Sequence, residues 1–561
     1  MAIFEQKHLK KEIIDDTHSL SCTIINAQLT QGHIDYTLRV LRSKFEDKVW
    51  HVTKRYSDFD SLYNALQISG LKFQFPPKKY FGNLNPEFVA ERQVGLQSFL
   101  DTVLMNPILS LSLPVRRFLN PETYSIPFQE QAMTKVSMIL RGERDYEIVK
   151  PLDDIGWRIR KQYVHIRNRN SSISKQDFIL AWIEFGPDKY LTDKELQSSL
   201  KCLMDLQHPF IEPTLLAVCN ESGGLVIRRY NPPGSLRDIL YGSSPNQPFL
   251  KKYCNPKERK PLPPNTVANY ATQILHALKF LRDKKLPFGH LHTSNILVEN
   301  NRVKLTDIEN SLFGVSNYYR PYISQLRKVN TMEAVDVYCF AHTLYEMSTG
   351  SPLQQSTCDE LPANCPSMFR PVLELILSSE ACRKTGLPTL DYLLDHPLFS
   401  HNSFIPVTEP KPHFKVSSHL KEAFRKLSLQ IEKRLGEEQK KIRYQKKLYL
   451  MQEQLIVEEN NRQKEKKKQR SKKHSESIAN GKSERCSSPN SVATSAGTVT
   501  PPSGASSSHF TPPSASDLGS SLSTPPPPPP PPFQSNGNSR SELLNSICNF
   551  KKSELKKTKP T

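Results

Sequence analysis

The fold of this chain can be read first from residues 288–297, which run Phe-Gly-His-Leu-His-Thr-Ser-Asn-Ile-Leu. Two imidazole side chains, His290 and His292, and the amide side chain of Asn295 lie just before a short apolar strand. A second apolar segment, 303–305, is followed two residues later by Asp307. Imidazole, amide and carboxylate groups so close together make this region the first candidate for a chemical site.

Composition limits the classes of protein to which the chain can belong. A length of 561 residues exceeds what a single core supports, and the net charge of +20 favours anionic partners: phospholipid, nucleic acid or an acidic protein surface. The ten cysteines form no C-x-x-C pair, which argues against a zinc site or a disulfide framework and favours a reducing cytosol. Residues 1–7 lack the apolar run of a signal peptide, and no stretch approaches the ~20 apolar residues of a spanning helix. We therefore expect a cytoplasmic protein whose membrane contact is peripheral.

Residues 288–297 resemble the catalytic loop of protein kinases, whose pattern is H-R-D-L-K-P-x-N. Counted back from Asn295, the catalytic aspartate position holds His290, the preceding arginine position holds Gly289, and the lysine position holds His292. The resemblance extends from about 140 to 400 and implies a bilobal kinase-like domain. In that family the residues matching Asn295 and Asp307 bind magnesium.

Several parts that phosphate transfer needs are missing from this region. No glycine occurs from 157 to 185, the strand 178–185 contains no lysine, and the helix C glutamate position holds Ser199. These losses predict a pseudokinase with no catalytic residue, no metal site and no cofactor, in which His290, Asn295 and Asp307 are degenerate positions. Two alternatives stay open: weak ATP and magnesium binding through Asn295 and Asp307, and a weakly active atypical serine/threonine kinase that uses His290 as the base.

The N-terminal region carries three short motifs in order. They are Arg-Tyr-Ser-Asp-Phe at 55–59, Pro-Pro-Lys at 76–78, and Arg-x-x-x-Leu-x-x-Phe at 92–99. This ordered set resembles the PX (phox homology) domain, which we expect over 14–126. The resemblance implies a phosphoinositide ligand, usually phosphatidylinositol 3-phosphate in that family.

The family's roles can be carried to four positions of this chain. Arg55 would hold the 3-phosphate, Tyr56 would pack under the inositol ring, Lys78 would meet the 1-phosphate, and Arg92 would bond the ring hydroxyls. Guanidinium and ammonium groups suit phosphate, and an aromatic face suits the ring. Tyr80 and Phe81 would form a membrane-inserting loop. The alternative is that these residues form a solvated basic face that binds no lipid.

The C-terminal part changes character twice. Residues 415–475 predict a basic helix, and 464–473 contain seven basic side chains and one acidic one. That run is compatible with nuclear import or nucleic-acid contact, with attachment to an anionic leaflet, or with a solvated face. Residues 476–538 are Ser/Pro-rich and predict disorder. Within them, the eight prolines 525–532 predict a polyproline helix that fits profilin or another polyproline-binding protein.

Residues 539–558 resemble the WASP-homology actin-binding motif. Residues 540–547 match R-x-x-L-L-x-x-I, and 555–558 read Leu-Lys-Lys-Thr. The resemblance implies that a short helix fills an apolar cleft of monomeric actin. The contact residues that it implies are Leu543, Leu544, Ile547, Leu555, Lys556 and Lys557.

Together these segments predict a multidomain α+β protein. It would combine a PX domain (a three-stranded antiparallel sheet with a helical bundle), a bilobal kinase-like domain, a basic helical segment and a disordered tail. The expected function is a phosphoinositide-binding adaptor on endosomal or plasma membranes, with membrane-protein cargo on the kinase-like domain and actin on the tail. Nucleic acid is not favoured, because no aromatic side chain interleaves the run 464–473.

Overall fold

The computed structural model describes residues 13–42, 48–79, 81–143, 145–169, 177–400 and 414–479, with side chains as far as 468. It contains, in chain order, a small antiparallel sheet with helices, a two-lobed domain, and one long helix. Tyr80 and all six actin-contact residues named above fall outside the described residues. Among the residues it describes, no helix is both long and apolar enough to cross a membrane.

The first part begins with a three-stranded antiparallel sheet in the order β1-β2-β3. The turn from β1 to β2 places Gln31 and Gly32 at φ 47° and 80°, which matches the right-handed twist of a hairpin. One face of β2 buries Tyr36, Leu38 and Val40 against the helices that follow. The elements are β1 (Leu20–Thr30), β2 (His33–Arg42), β3 (Val49–Arg55), α1 (Tyr56–Leu66), α2 (Pro86–Met105), α3 (Pro107–Ser110), α4 (Leu113–Leu119) and α5 (Pro121–Tyr124). The PX-type sheet and helices predicted from sequence are confirmed.

A helix that the sequence did not predict, α6 (Phe128–Leu140), joins the first part to the second. Its Ala132, Val136 and Leu140 are buried against the next sheet, beside Val164 and Leu180. The connection is therefore packed on the following domain, which gives α6 a structural role in addition to that of a linker.

The second part starts with a five-stranded antiparallel sheet in the order β4-β5-β6-β8-β7. The helix beside it, α7, begins with a capping box in which Thr192 and Glu195 exchange hydrogen bonds, and it carries Ser199 fully buried. The elements are β4 (Tyr146–Leu152), β5 (Lys161–Asn168), β6 (Asp177–Glu184), α7 (Asp193–Met204), β7 (Leu216–Cys219) and β8 (Gly223–Arg229). This is the expected smaller lobe of a kinase-like domain.

The larger lobe is helical and surrounds α12, which is buried along almost its whole length. Its elements are α8 (Leu236–Leu240), α9 (Phe249–Tyr253), α10 (Pro264–Asp283), β9 (Ile296–Glu299), β10 (Arg302–Leu305), α11 (Arg320–Ile323), α12 (Met332–Thr349), α13 (Arg370–Leu377), α14 (Leu390–Asp395) and α15 (Pro397–Ser400). Strands β9 and β10 pair as a short antiparallel ribbon directly after the loop 288–295. The ribbon holds that loop at the mouth of the cleft between the lobes.

The long helix α16 (Ser418–Ala479) begins against this lobe. Phe424, Leu427 and Leu435 are buried in the domain core, and the Gln439 amide donates to the backbone carbonyls of Ile323, Leu326 and Val329 at 2.8–3.0 Å. A buried amide must find acceptors, and these carbonyls supply them, so the contact between α16 and the larger lobe is a specific one. The first third of α16 is thus part of the kinase-like domain.

The segment before β1 is also held against the kinase-like domain. The Asp15 carboxylate accepts hydrogen bonds from the Ser316 hydroxyl and from Arg434 Nη2, both at 2.7 Å. The other guanidinium nitrogen of Arg434 donates to Asp188 at 2.6 Å. Arg434 on α16 therefore connects the N-terminal part to both lobes of the second part.

Candidate functional site

The loop between β4 and β5 lies over the cleft where a kinase would hold nucleotide phosphates. Kinases place G-x-G-x-x-G there, and this chain has Gly156, Trp157, Arg158, Ile159, Arg160 and Lys161. Only the first glycine remains, and cationic residues occupy the second and third glycine positions. The cleft beneath is lined by Trp157, Arg158, Tyr163 and Asp307 among others. The loop therefore inserts its own side chains into space that glycines would leave open.

Lys161 takes the place of the lysine that is missing from β6. The V-A-I-K pattern of kinases puts that lysine at Ile183, and in the strand register Lys161 on β5 lies directly opposite Ile183. Directly opposed residues share one face of a sheet, so Lys161 points into the same cleft. Its ammonium lies 2.9 Å from Asp307 Oδ1 and 3.5 Å from Glu309 Oε1, and its side chain is 1% exposed. Lys161 was not predicted from sequence, because it lies on β5 and not on β6, the strand that carries this lysine in kinases.

Glu309, two residues after Asp307, forms the second half of a buried ion-pair cluster. Arg228 on β8 donates to both of its carboxylate oxygens, with Nη1 3.1 Å from Oε1. Burial alone would raise the pKa of Glu309, but the charges of Arg228 and Lys161 hold that pKa below its ordinary value. Glu309 stands where D-F-G has its glycine. We name Lys161, Arg228, Asp307 and Glu309 the cleft ion cluster.

The predicted degenerate position His290 lies at the edge of this cluster. It is buried, and its Nδ1 lies 3.4 Å from Arg158 Nη2, while Nη1 of the same arginine donates to the Ser316 carbonyl at 2.6 Å. Burial first, and then the charges of Arg158 and His292, lower the pKa of His290 well below 6.5. The imidazole is therefore neutral at physiological pH.

Asn295, the family's magnesium ligand, is occupied within its own loop. Its amide nitrogen donates to the His290 carbonyl, and its Oδ1 accepts from the His292 backbone N–H at 2.9 Å. Asp307 Oδ1 contacts the Lys161 ammonium at 2.9 Å. The loop is anchored from below, where the Gly289 N–H donates to Asp336 at 2.8 Å. Gly289 has φ 68°, and a Cβ there would lie 2.9 Å from Met332 Cε, so this position requires glycine.

In the N-terminal part, the structure brings two of the four predicted lipid positions, Tyr56 and Arg92, into contact. The Arg92 guanidinium lies between the rings of Tyr56 and Phe88, 4.3 Å from each centroid. Arg92 also donates to the Pro77 carbonyl at 3.3 Å, and the Tyr56 hydroxyl donates to the Pro76 carbonyl at 2.7 Å. The Pro-Pro-Lys loop is therefore held by both residues, and Lys78, which follows Pro77, is exposed. Phe88 was not predicted from sequence.

Arg55 occupies a different environment from Arg92. It is the N-cap residue of α1, its backbone N–H donates to Asp58 at 2.8 Å, and its side chain is 56% exposed. Its Nε lies 3.5 Å from Asp35 Oδ1, so one carboxylate now neutralises it.

Phe81 is 88% exposed, as a membrane-inserting side chain would be before it meets a bilayer. Close approach of the proline loop to α2 requires Gly95, since a Cβ there would lie 2.7 Å from Pro76 Cγ.

Comparisons with known proteins agree with the assignment of the two domains. The PX domain family model matches residues 42–122, and the protein tyrosine and serine/threonine kinase model matches residues 187–370. The kinase match begins beyond the loop and strands that carry Arg158 and Lys161. A Drosophila melanogaster Slowpoke-binding protein is 31% identical over 40% of this chain and 45% of its own length. A Dictyostelium discoideum protein named a probable inactive serine/threonine-protein kinase is 32% identical over 46% of this chain and 48% of its own length.

A mouse protein matches over both domains. The PX domain-containing protein kinase-like protein of Mus musculus is 45% identical over 448 residues, which cover 80% of this chain and 76% of the mouse protein. The rat protein of the same name is 44% identical over the same shares. The chain combines a PX-type domain with a kinase-like domain whose cleft is altered, and its identity to the mouse protein extends over both. It therefore belongs to the PX domain-containing protein kinase-like proteins.

Proposed function

We propose that this chain is a phosphoinositide-binding peripheral membrane adaptor whose kinase-like domain transfers no phosphate. The observation that carries the second half of the proposal is the cleft ion cluster. Phosphate transfer requires Mg²⁺ held by carboxylate and amide oxygens, with a lysine on the phosphates. Here Lys161 and Arg228 are neutralised by Asp307 and Glu309; three of these side chains are buried, and that of Asp307 is 17% exposed. Binding Mg·ATP in the family's manner would break these pairs.

The residue at the catalytic-base position, His290, also supports a domain that transfers no phosphate. A general base should have a pKa near the working pH and an accessible site, so that it can reach a substrate hydroxyl. His290 is buried beside Arg158, and its pKa lies well below 6.5. A weakly basic, shielded imidazole is a poor replacement for the catalytic aspartate. The name of the Dictyostelium relative, an inactive kinase, is in line with this view.

One observation favours the alternative of weak nucleotide binding. Lys161 reaches the cleft from the strand beside the expected one, and Asp307 keeps the left-handed backbone conformation at φ 64°. If a nucleotide displaced Glu309, Lys161 could meet its phosphates. A thermal-shift titration with ATP, with and without Mg²⁺, separates the two readings. The adaptor account expects no shift at millimolar nucleotide, whereas a weakly active membrane-targeted kinase requires one.

The PX-type domain supports the membrane half of the proposal. Arg55, Tyr56, Lys78 and Arg92 would form the headgroup site, with phosphatidylinositol 3-phosphate as the ligand we propose. Phe81, together with Tyr80, would enter the bilayer. Exposed guanidinium and ammonium groups beside an aromatic face suit an inositol phosphate. The location we propose is therefore the surface of endosomal or plasma membranes.

The kinase-like domain would then serve as a binding surface for membrane-protein cargo. A Drosophila relative named for the protein that it binds supports such a role. The tail would bind monomeric actin through 539–558 and profilin or another polyproline-binding protein through 525–532. The central test of the proposal is phosphate transfer from Mg·ATP by the purified chain, which we expect to be absent.

Replacing Leu543 and Leu544 together by alanine should abolish capture of monomeric actin by the full-length chain. The two side chains would fill the apolar cleft, and each buried leucine is worth about 1.5–3 kcal/mol. The measurement is a pulldown with purified actin. Replacing Ser541 by alanine, on the same short segment, is the matched control. Undiminished capture by the double leucine variant would show that the motif does not bind actin.

A further inference from the structure

Helix α16 continues far beyond its contact with the kinase-like domain. Gln439 is 2% exposed and bonds the larger lobe, and the 62 residues of α16 correspond to ~93 Å of helix. Beyond Gln439, seven large apolar side chains are exposed, and four of them lie on one side of the helix: Tyr444 by 64%, Leu448 by 41%, Met451 by 51% and Leu455 by 59%. The other three, Tyr449, Leu450 and Val457, lie outside that stripe. Large apolar groups grouped on a surface helix mark an interaction site more often than isolated ones do.

The spacing of these four residues is that of a helix-pairing seam. They follow one another at intervals of four, three and four, which keeps them within one narrow stripe of the helix. The same spacing, continued by three residues in each direction, reaches Lys441 and Glu458. The seam therefore has a cation at one end, an anion at the other, and four apolar positions between them.

The charges decide which partner and which direction fit this seam. If two copies of the helix pair antiparallel, with Leu448 opposite Met451 and Tyr444 opposite Leu455, Lys441 of each copy lies opposite Glu458 of the other. If they pair in parallel, Lys441 meets Lys441 and Glu458 meets Glu458, and like charges at a seam repel. The antiparallel arrangement gives four apolar layers closed at both ends by an ion pair.

The charges outside the seam agree with this direction. Residues 440–447 contain five basic and no acidic side chains, whereas 448–459 contain three acidic and no basic ones. Antiparallel pairing brings each basic block beside the acidic block of the other copy. Parallel pairing would bring blocks of the same sign together, at a cost that falls with added salt.

We propose that residues 441–458 of α16 pair antiparallel with the same segment of a second copy of this chain. Six layers form a short seam, so the interface lies at the small end of specific interfaces. On a membrane, the dimer would present two PX-type domains together. Two linked weak sites bind a surface far more tightly than one.

The test is the mass of the full-length chain in solution, measured by sedimentation velocity from 1 to 100 µM without lipid. We expect the mass to rise towards twice the 64.1 kDa of one chain. Lys441→Glu alone and Glu458→Lys alone should each weaken association by at least tenfold, because each creates two like-charge layers. The double variant Lys441→Glu with Glu458→Lys should restore it. Circular dichroism of each variant checks that the helix is retained.

Each other outcome overturns the proposal. A monomer at every concentration means that the stripe is covered by a different partner or by lipid. A dimer that both single variants leave intact means that the seam is parallel or lies elsewhere. A double variant that stays dissociated means that Lys441 and Glu458 do not face each other. Since no lipid or nucleotide is present, failure here leaves the proposed adaptor function untouched.

Discussion

Replacing Glu309 by glutamine should destabilise the kinase-like domain by about 3–5 kcal/mol. The substitution preserves the shape of the side chain but removes its charge, which leaves Arg228 and Lys161 buried with one carboxylate, Asp307, between them. Breaking a buried ion pair from one side costs more than the pair itself contributes, because the remaining charge stays desolvated. For a domain of this size the melting temperature should fall by roughly 10 °C.

The matched control is Glu299→Gln, which breaks an exposed pair. Glu299 Oε2 lies 2.6 Å from Lys304 Nζ, but its side chain is 56% exposed. Exposed pairs contribute ~0–1 kcal/mol, so this variant should melt close to the wild type. Thermal or urea unfolding, followed by tryptophan fluorescence, measures both variants. If Glu309→Gln and Glu299→Gln had the same small effect, the cleft ion cluster would not be a structural element of the domain.

Replacing Arg55 by alanine should release the chain from vesicles that contain phosphatidylinositol 3-phosphate. A charge-assisted hydrogen bond to phosphate is worth roughly 1.5–3 kcal/mol, so affinity should fall about 10-fold to 150-fold. The fold should tolerate the change, because the backbone N–H of residue 55 and not its side chain bonds Asp58 at the start of α1. Arg92 is a poorer target, since it is buried between Tyr56 and Phe88 and its loss would disturb packing.

The control for Arg55→Ala is Arg39→Ala, which removes the same charge from an exposed position on strand β2 of the same sheet. Vesicle flotation at a stated salt concentration compares the two. The headgroup site assigned here predicts a large loss for Arg55→Ala and a small one for Arg39→Ala. Equal losses would indicate attraction by net charge alone, and binding that survives Arg55→Ala would remove Arg55 from the site.

The features that could be predicted from sequence are those that a short local motif determines. The order of Arg-Tyr-Ser-Asp-Phe, Pro-Pro-Lys and the Arg92 helix predicted the PX-type fold, because turns and helix faces depend on neighbours in the chain. The loop around His290 predicted the kinase-like fold for the same reason. The helical character of 415–475 was also evident from its composition.

What escaped prediction depends on pairing between distant residues. Lys161 replaces the missing lysine only because the register sets it opposite Ile183, 22 residues away. In the sequence Glu309 is an ordinary acidic residue, and only the structure shows that Arg228, from another strand, lies beside it. Gln439 looks like a solvent-facing residue of a polar helix, yet it bonds three carbonyls of the larger lobe. These contacts cannot be predicted from the positions of the residues in the sequence alone.

The most direct test of the account is transfer of labelled phosphate from Mg·ATP by the purified chain bound to vesicles containing phosphatidylinositol 3-phosphate. The assay should include a general protein substrate and the Asp307→Asn variant as the background. The account predicts that the chain floats with the vesicles and that its labelled product does not exceed that of the variant. Labelled product above background that Asp307→Asn abolishes would contradict it.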